Sequence, residues 1–140
     1  APSTARVDIT KLLDRERFRP LESFAATKAA GLMLAFELAR RGKRWDVRSN
    51  ALHPGLVRSD LMREAPRPAR LLSRLVSGSA ARAAQDIAEL AISPAFAGTT
   101  GWFFRGGRRI DPPRSAADPA SQEALWQRCA ELVELEEQGF

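Results

Sequence analysis

Ser23-Phe24-Ala25-Ala26-Thr27-Lys28-Ala29 lies inside the longest helical pattern of the chain, Leu21 to Arg41. Pro20 marks the start of that pattern. Gly42 marks its end, after Arg40 and Arg41, cations suited to the negative end of a helix dipole. Apolar residues occupy nearly the whole circumference: Phe24, Ala25, Ala29, Leu32, Met33, Leu34, Phe36 and Leu38. A helix apolar on more than one face is buried on more than one face. Phe24 and Lys28 stand four residues apart, so they project from the same face, one turn above the other.

Outward from this helix, Val47 to Leu52 reads as a short strand stopped by Pro54-Gly55, and residues 55–65 read as a loop. Before the helix, residues 4–19 are polar and irregular, with a helical turn expected at 11–16. Pro66 and Pro68 interrupt the chain ahead of a weak helix, Ala69 to Val76. Ser77-Gly78-Ser79 is a turn able to cap the next helix, Ala80 to Ile92. Trp102 to Arg105 is a second strand between glycines, and Gly106-Gly107 is a turn signal. A loop at 112–116 leads to Asp118, which caps a last helix from Pro119 to about Glu134, with Pro at the favoured first position. Strands separated by helices favour a parallel sheet and an α/β class. Trp102, Phe103 and Phe104 read as buried strand, and Trp126 as a packing anchor.

Ser23 to Ala29 resembles the Tyr-x-x-x-Lys catalytic segment of the short-chain dehydrogenase/reductase family, with Phe24 at the Tyr position. The flanks carry the same resemblance. Val47-Arg48-Ser49-Asn50-Ala51-Leu52-His53-Pro54-Gly55-Leu56-Val57-Arg58-Ser59-Asp60-Leu61 is similar to the family's strand and Pro-Gly loop. Its His-Pro-Gly-x-Val-Arg-Ser wording resembles the branch that holds retinol dehydrogenases and daunorubicin-type ketoreductases. Ser3-Thr4-Ala5-Arg6 resembles that branch's Ser-Ser-x-Ala-His segment. Ser93-Pro94, Gly98-Thr99-Thr100-Gly101-Trp102-Phe103-Phe104 and Ala124-Leu125-Trp126 follow its C-terminal layout in order.

The resemblance implies the C-terminal portion of a Rossmann-like, doubly wound parallel sheet, mostly helical with two clear strands. It implies one partial domain, 1–140, without the N-terminal dinucleotide-binding half. It implies hydride transfer between NAD or NADP and a lipophilic carbonyl or alcohol. Ser3 falls at the substrate-orienting Ser, and Lys28 at the residue that holds the nicotinamide ribose and favours an ionised phenol. Pro54, Gly55 and Ser59 fall along the cofactor pocket. The helix at 21–41 falls where family members pack on the sheet and on a twin subunit.

Two departures from the family pattern bear on activity. A Phe ring has no proton to give, and positioned acid–base help is typically worth ~10²–10⁴ in rate. None of the nine glycines forms the Gly-rich strand–helix turn that admits a pyrophosphate. The chain is therefore expected to bind no cofactor and to be inactive by itself. The alternative is a non-catalytic subunit that binds a partner through helix 21–41: a complementary Rossmann half, an intact homologue or a second copy.

Composition narrows the remaining classes. With 44% hydrophobic and 28% charged residues, the chain falls in the soluble globular class. No segment approaches the ~20 apolar residues of a membrane span. The single Cys129 excludes an internal disulfide and is compatible with a cytoplasmic location. His53 is the only His and has no Cys or acidic partners at metal-ligand spacing, so no metal site is expected. Ser3, His53 and Asp60 lack the nucleophile elbow of a hydrolase. Ten basic residues lie between Arg40 and Arg74 against three acids, Asp46, Asp60 and Glu64. Nucleic acid is not the expected partner, because these cations scatter over several elements and no aromatic residues interleave with them.

Overall fold

The first helix, α1 (Pro20–Arg41), forms where the sequence places it. Pro20 occupies the first turn, where its missing N–H is no loss. Glu22 in that turn and Arg40 and Arg41 in the last complement the helix dipole. The computed structural model describes residues 7–9, 14, 16, 18–55 and 78–134. Ser3, Ser59, the helix expected at Ala69 to Val76, and most of the 11–16 turn and the 55–65 loop lie outside the described residues.

The chain divides into two compact units. The first takes its described residues from 1–51, 100–102 and 111–140. Its core is built on α1, whose buried stripe is Ala25, Ala29, Leu32, Met33, Phe36, Glu37 and Ala39. That spacing of three and four is one side of a helix. Leu34 and Leu38 are half-buried, whereas Leu21 and Phe24 near the start are exposed. The apolar circumference expected from sequence is thus covered toward the C-terminal end and open at the N-terminal end.

The last helix, Pro119–Leu132, lies against α1. Asp118 caps it as expected, accepting the Ser121 N–H at 2.9 Å. Met33 of α1 and Leu125 of this helix are among the largest fully buried side chains. A polar knot closes the contact. Glu37 accepts from Arg40 and, at 2.7 Å, from Arg41 Nε. Arg40 Nη1 donates to Gln122 Oε1 at 2.5 Å, and Gln122 Nε2 donates to the Ala116 carbonyl at 2.7 Å. The Arg41 guanidinium lies 5.2 Å from the centre of the Trp126 ring. Glu37 and Gln122 are buried, so these bonds replace the water each would lose.

The strand expected from Val47 to Leu52 is shorter. Regular strand, β1, covers only Ala51–Leu52. Before it the pairing is mixed: the Gly101 N–H donates to the Ser49 carbonyl at 2.8 Å, while Thr100 Oγ1 accepts the Ser49 N–H at 3.1 Å and Asn50 Oδ1 accepts the Trp102 N–H at 3.1 Å. A side chain in place of a backbone partner interrupts the regular ladder.

The second unit takes its described residues from 52–99 and 103–110. Helix α2 (Ala80–Ile92) begins at Ser79, whose side chain accepts the Ala81 N–H, as expected. A short helical turn, Pro94–Phe96, follows. Phe96 meets the buried Phe104 edge to face at 5.3 Å.

Strand β2 is Phe103–Arg105, and β3 is Arg108–Ile110. The last helix above is α3. The sheet runs in the order β1-β2-β3. The bonds Ala51 N–H to Trp102 C=O and His53 N–H to Phe104 C=O advance in step, as in a parallel pair. Among the described residues a third strand joins the two expected, and β2 pairs with β3 antiparallel, Phe103 opposite Ile110 and Arg105 opposite Arg108, so the sheet is mixed rather than all parallel. The cause is the turn between them. Gly106 and Gly107 both take positive φ, 54° and 73°, which suits a two-residue hairpin. The α/β class, mostly helical, stands.

Candidate active site

Phe24 and Lys28 are brought together by α1 alone. Each lies on the exposed side of the helix, and Lys28 Nζ stands 5.3 Å from the centre of the Phe24 ring. A cation at that distance from an aromatic face is attracted by the ring quadrupole, by roughly 0.5–1 kcal/mol where water has access. Thr27 Oγ1 donates to the Phe24 carbonyl at 2.8 Å. The chain contains no Tyr, so these 140 residues offer no phenol for acid–base work. What the pair can do chemically is electrostatic: Lys28 can attract an anion or donate to hydroxyl groups.

Pro54 and Gly55 belong to the second unit, just after β1. Gly55 has φ 76°, a conformation that only glycine adopts freely, and a Cβ there would meet nothing within 4 Å. Its N–H donates to His53 Nδ1 at 2.9 Å. The His53 N–H donates in turn to the Phe104 carbonyl at 2.8 Å. His53 therefore closes a turn rather than serving a metal or a hydrolase; its sequence signal is an acceptor side chain two residues ahead of a glycine.

The described glycines give no cradle for a dinucleotide's pyrophosphate. Gly106-Gly107 forms the tip of an antiparallel hairpin. Gly31 lies within α1 and Gly42 at its end. Gly78 stands alone before the cap of α2. Among the described residues, no cluster of His, Cys, Asp and Glu could hold a metal ion. No helix among them is long and apolar enough to cross a membrane.

No family model matches the chain. Individual relatives do. A Streptomyces sp. (strain C5) protein named as a daunorubicin C-13 ketoreductase is 33% identical over 122 residues, covering 86% of this chain and 41% of that protein. Retinol dehydrogenase 13 of Homo sapiens is 30% identical over 128 residues, covering 86% of this chain and 39% of the relative. Polyprenol dehydrogenase of Mus musculus is 32% identical over 128 residues, with 86% and 38% covered. The chain thus spans about two-fifths of the length of the curated relatives it matches. These matches agree with the motifs quoted from residue 3 to residue 126: the chain belongs to the short-chain dehydrogenase/reductase family, in the branch of retinol dehydrogenases and daunorubicin-type ketoreductases.

Proposed function

We propose that these 140 residues are the C-terminal part of an NAD(P)-linked carbonyl or alcohol oxidoreductase whose acid–base phenol has been replaced by Phe24. The observation that carries this reading is the Phe24–Lys28 pair, a cation 5.3 Å from a ring centre on one exposed helix turn. Lys28 holds the ribose hydroxyls of the nicotinamide half. Pro54, Gly55 and Ser59 line its pocket, and Ser3 hydrogen-bonds the substrate carbonyl. A bound nicotinamide would supply or accept the hydride. Phe24 supplies and accepts no proton, so turnover is negligible as the chain stands. The pyrophosphate cradle is contributed by residues outside this stretch. The relatives are named for retinol, polyprenol and daunorubicin, which favours a lipophilic or polyketide-like substrate.

A second reading is a non-catalytic subunit that packs a partner against the N-terminal end of α1. Phe18, Leu21 and Phe24 favour it, being 66%, 84% and 45% exposed. Fluorescence titration of NADPH and NADH, with and without a family dinucleotide-binding half supplied in trans, separates the two. Cofactor binding that requires both pieces supports the oxidoreductase reading. Assembly of the two pieces with no cofactor binding supports the partner reading. No assembly and no binding would overturn both.

A further inference from the structure

His53 is fixed from three directions within its unit. Its backbone N–H donates to the Phe104 carbonyl at 2.8 Å, tying it to β2. Its ring stands 6.4 Å from the Phe103 ring, tilted by 43°. Its Nδ1 accepts the Gly55 N–H at 2.9 Å, across Pro54. An acceptor on residue i bonded to the N–H of residue i+2 is the arrangement of an Asx turn, with a ring nitrogen in place of the Asn or Asp oxygen.

The chemistry of the turn explains why such a bond is needed. Pro54 has no N–H of its own, so the Gly55 N–H is the first donor after His53. Gly55 sits at φ 76° with open space around it, where glycine has the largest choice of conformations and loses the most entropy when held. The side-chain bond selects one of them. A ring whose Nδ1 accepts carries its proton on Nε2, so the same bond also fixes the tautomer and leaves Nε2–H as a donor.

We infer that His53 is a positioning residue, holding the Pro54–Gly55 turn in one conformation by a Gly55 N–H to His53 Nδ1 hydrogen bond. Its functional consequence rests on the proposed reading in which Pro54 and Gly55 line the cofactor pocket. The bond itself does not depend on that reading. An Asn at position 53 presents its side-chain oxygen where His presents Nδ1 and rebuilds the turn. A Gln, one methylene longer, places its oxygen out of register.

The test uses the 140-residue chain labelled with nitrogen-15. A nitrogen–nitrogen coupling through the hydrogen bond, between the Gly55 amide and His53 Nδ1, is expected, together with an Nε2–H tautomer. Gly55 amide exchange should quicken about two- to tenfold in His53→Ala and His53→Gln, the range that one net hydrogen bond spans, and return in His53→Asn. A proton found on Nδ1, no coupling, or equal exchange in His53→Asn and His53→Ala would overturn the assignment. Cofactor titration with a supplied dinucleotide-binding half tests the functional clause separately. His53→Ala should weaken binding two- to tenfold and His53→Asn restore it. If the coupling is present but binding is unchanged, the turn stands and its placement at the cofactor fails.

Discussion

Gly42 and Val47 approach so closely that a Cβ on Gly42 would stand 2.9 Å from both the Cβ and the carbonyl oxygen of Val47. The Val47 N–H donates to the Gly42 carbonyl at 3.0 Å, which locks the approach. Gly42 has an ordinary helical φ of −67°, so its value here is lack of volume rather than freedom of backbone. Gly42→Ala should destabilise the chain by about 1–3 kcal/mol, the usual result of overfilling a packed site. Gly31, within α1, has nothing within 4 Å of its would-be Cβ, so Gly31→Ala should instead stabilise by about 0.5–1 kcal/mol. Urea unfolding of the two variants should shift the midpoint in opposite directions.

Glu37 is the hub of the contact between α1 and α3. Its side chain is 6% exposed, while those of Arg40 and Arg41 are 41% and 18% exposed. Removing one partner of a fully buried pair costs about 3–5 kcal/mol. Water reaches both arginines here, so Glu37→Ala should cost less, about 2 kcal/mol. Glu37→Gln, which keeps an acceptor, should cost about half as much. Equal stability of Glu37→Ala and the parent in denaturant would show that the knot contributes nothing.

The Asp118 carboxyl is held below its ordinary value of 3.8, first by the Ser121 hydroxyl and next by the Ser121 backbone N–H. A lowered pKa means that folding favours the ionised form. Its contribution is fully present above the ordinary carboxylate range and is lost as the pH falls through the lowered value. Melting temperature should therefore drop more steeply below about pH 4 in the parent than in Asp118→Asn, which caps without titrating. Parallel pH profiles for the two would count against the cap as the cause.

Phe24→Tyr would introduce the only tyrosine in the chain, so its ultraviolet titration would be read against no other phenol. Lys28 stands 5.3 Å from the ring centre and favours the phenolate, which lowers the phenol's pKa. In water-accessible surroundings the phenol should titrate below its ordinary value near 10, the cause being the neighbouring ammonium. Lys28→Met in the same background should remove the shift. Identical titrations with and without Lys28 would mean that the pair is not electrostatically coupled.

Much of this architecture was legible in the chain. The bounds of α1, the Ser79 and Asp118 caps and the α2 span follow from Pro, Ser and Asp at helix starts, which act locally. What escaped was set by pairing. Gly106-Gly107 announces a turn, yet only positive φ at both residues makes it a hairpin and creates β3. The shortening of β1 depends on Asn50 and Thr100 bonding across about fifty residues. Gly42 ends α1 as the sequence indicates, but the left-handed turn comes four residues later, at Asp46 with φ 55°. In the candidate site, Phe24 and Lys28 were readable because they share one helix. The His53–Gly55 bond was not, because ring orientation is a tertiary property.

In the proposed reading, Phe24 stands where the family's acid–base phenol belongs. The most direct test is NADPH- or NADH-dependent reduction of a panel of lipophilic ketones and aldehydes. The assay compares the parent and Phe24→Tyr, each paired with a supplied dinucleotide-binding half shown to bind cofactor. The account expects no measurable rate from the parent and a gain of about 10²–10⁴ from Phe24→Tyr, lost again on Lys28→Met. A parent as active as Phe24→Tyr, or a cofactor-loaded Phe24→Tyr inactive on the whole panel, would contradict it.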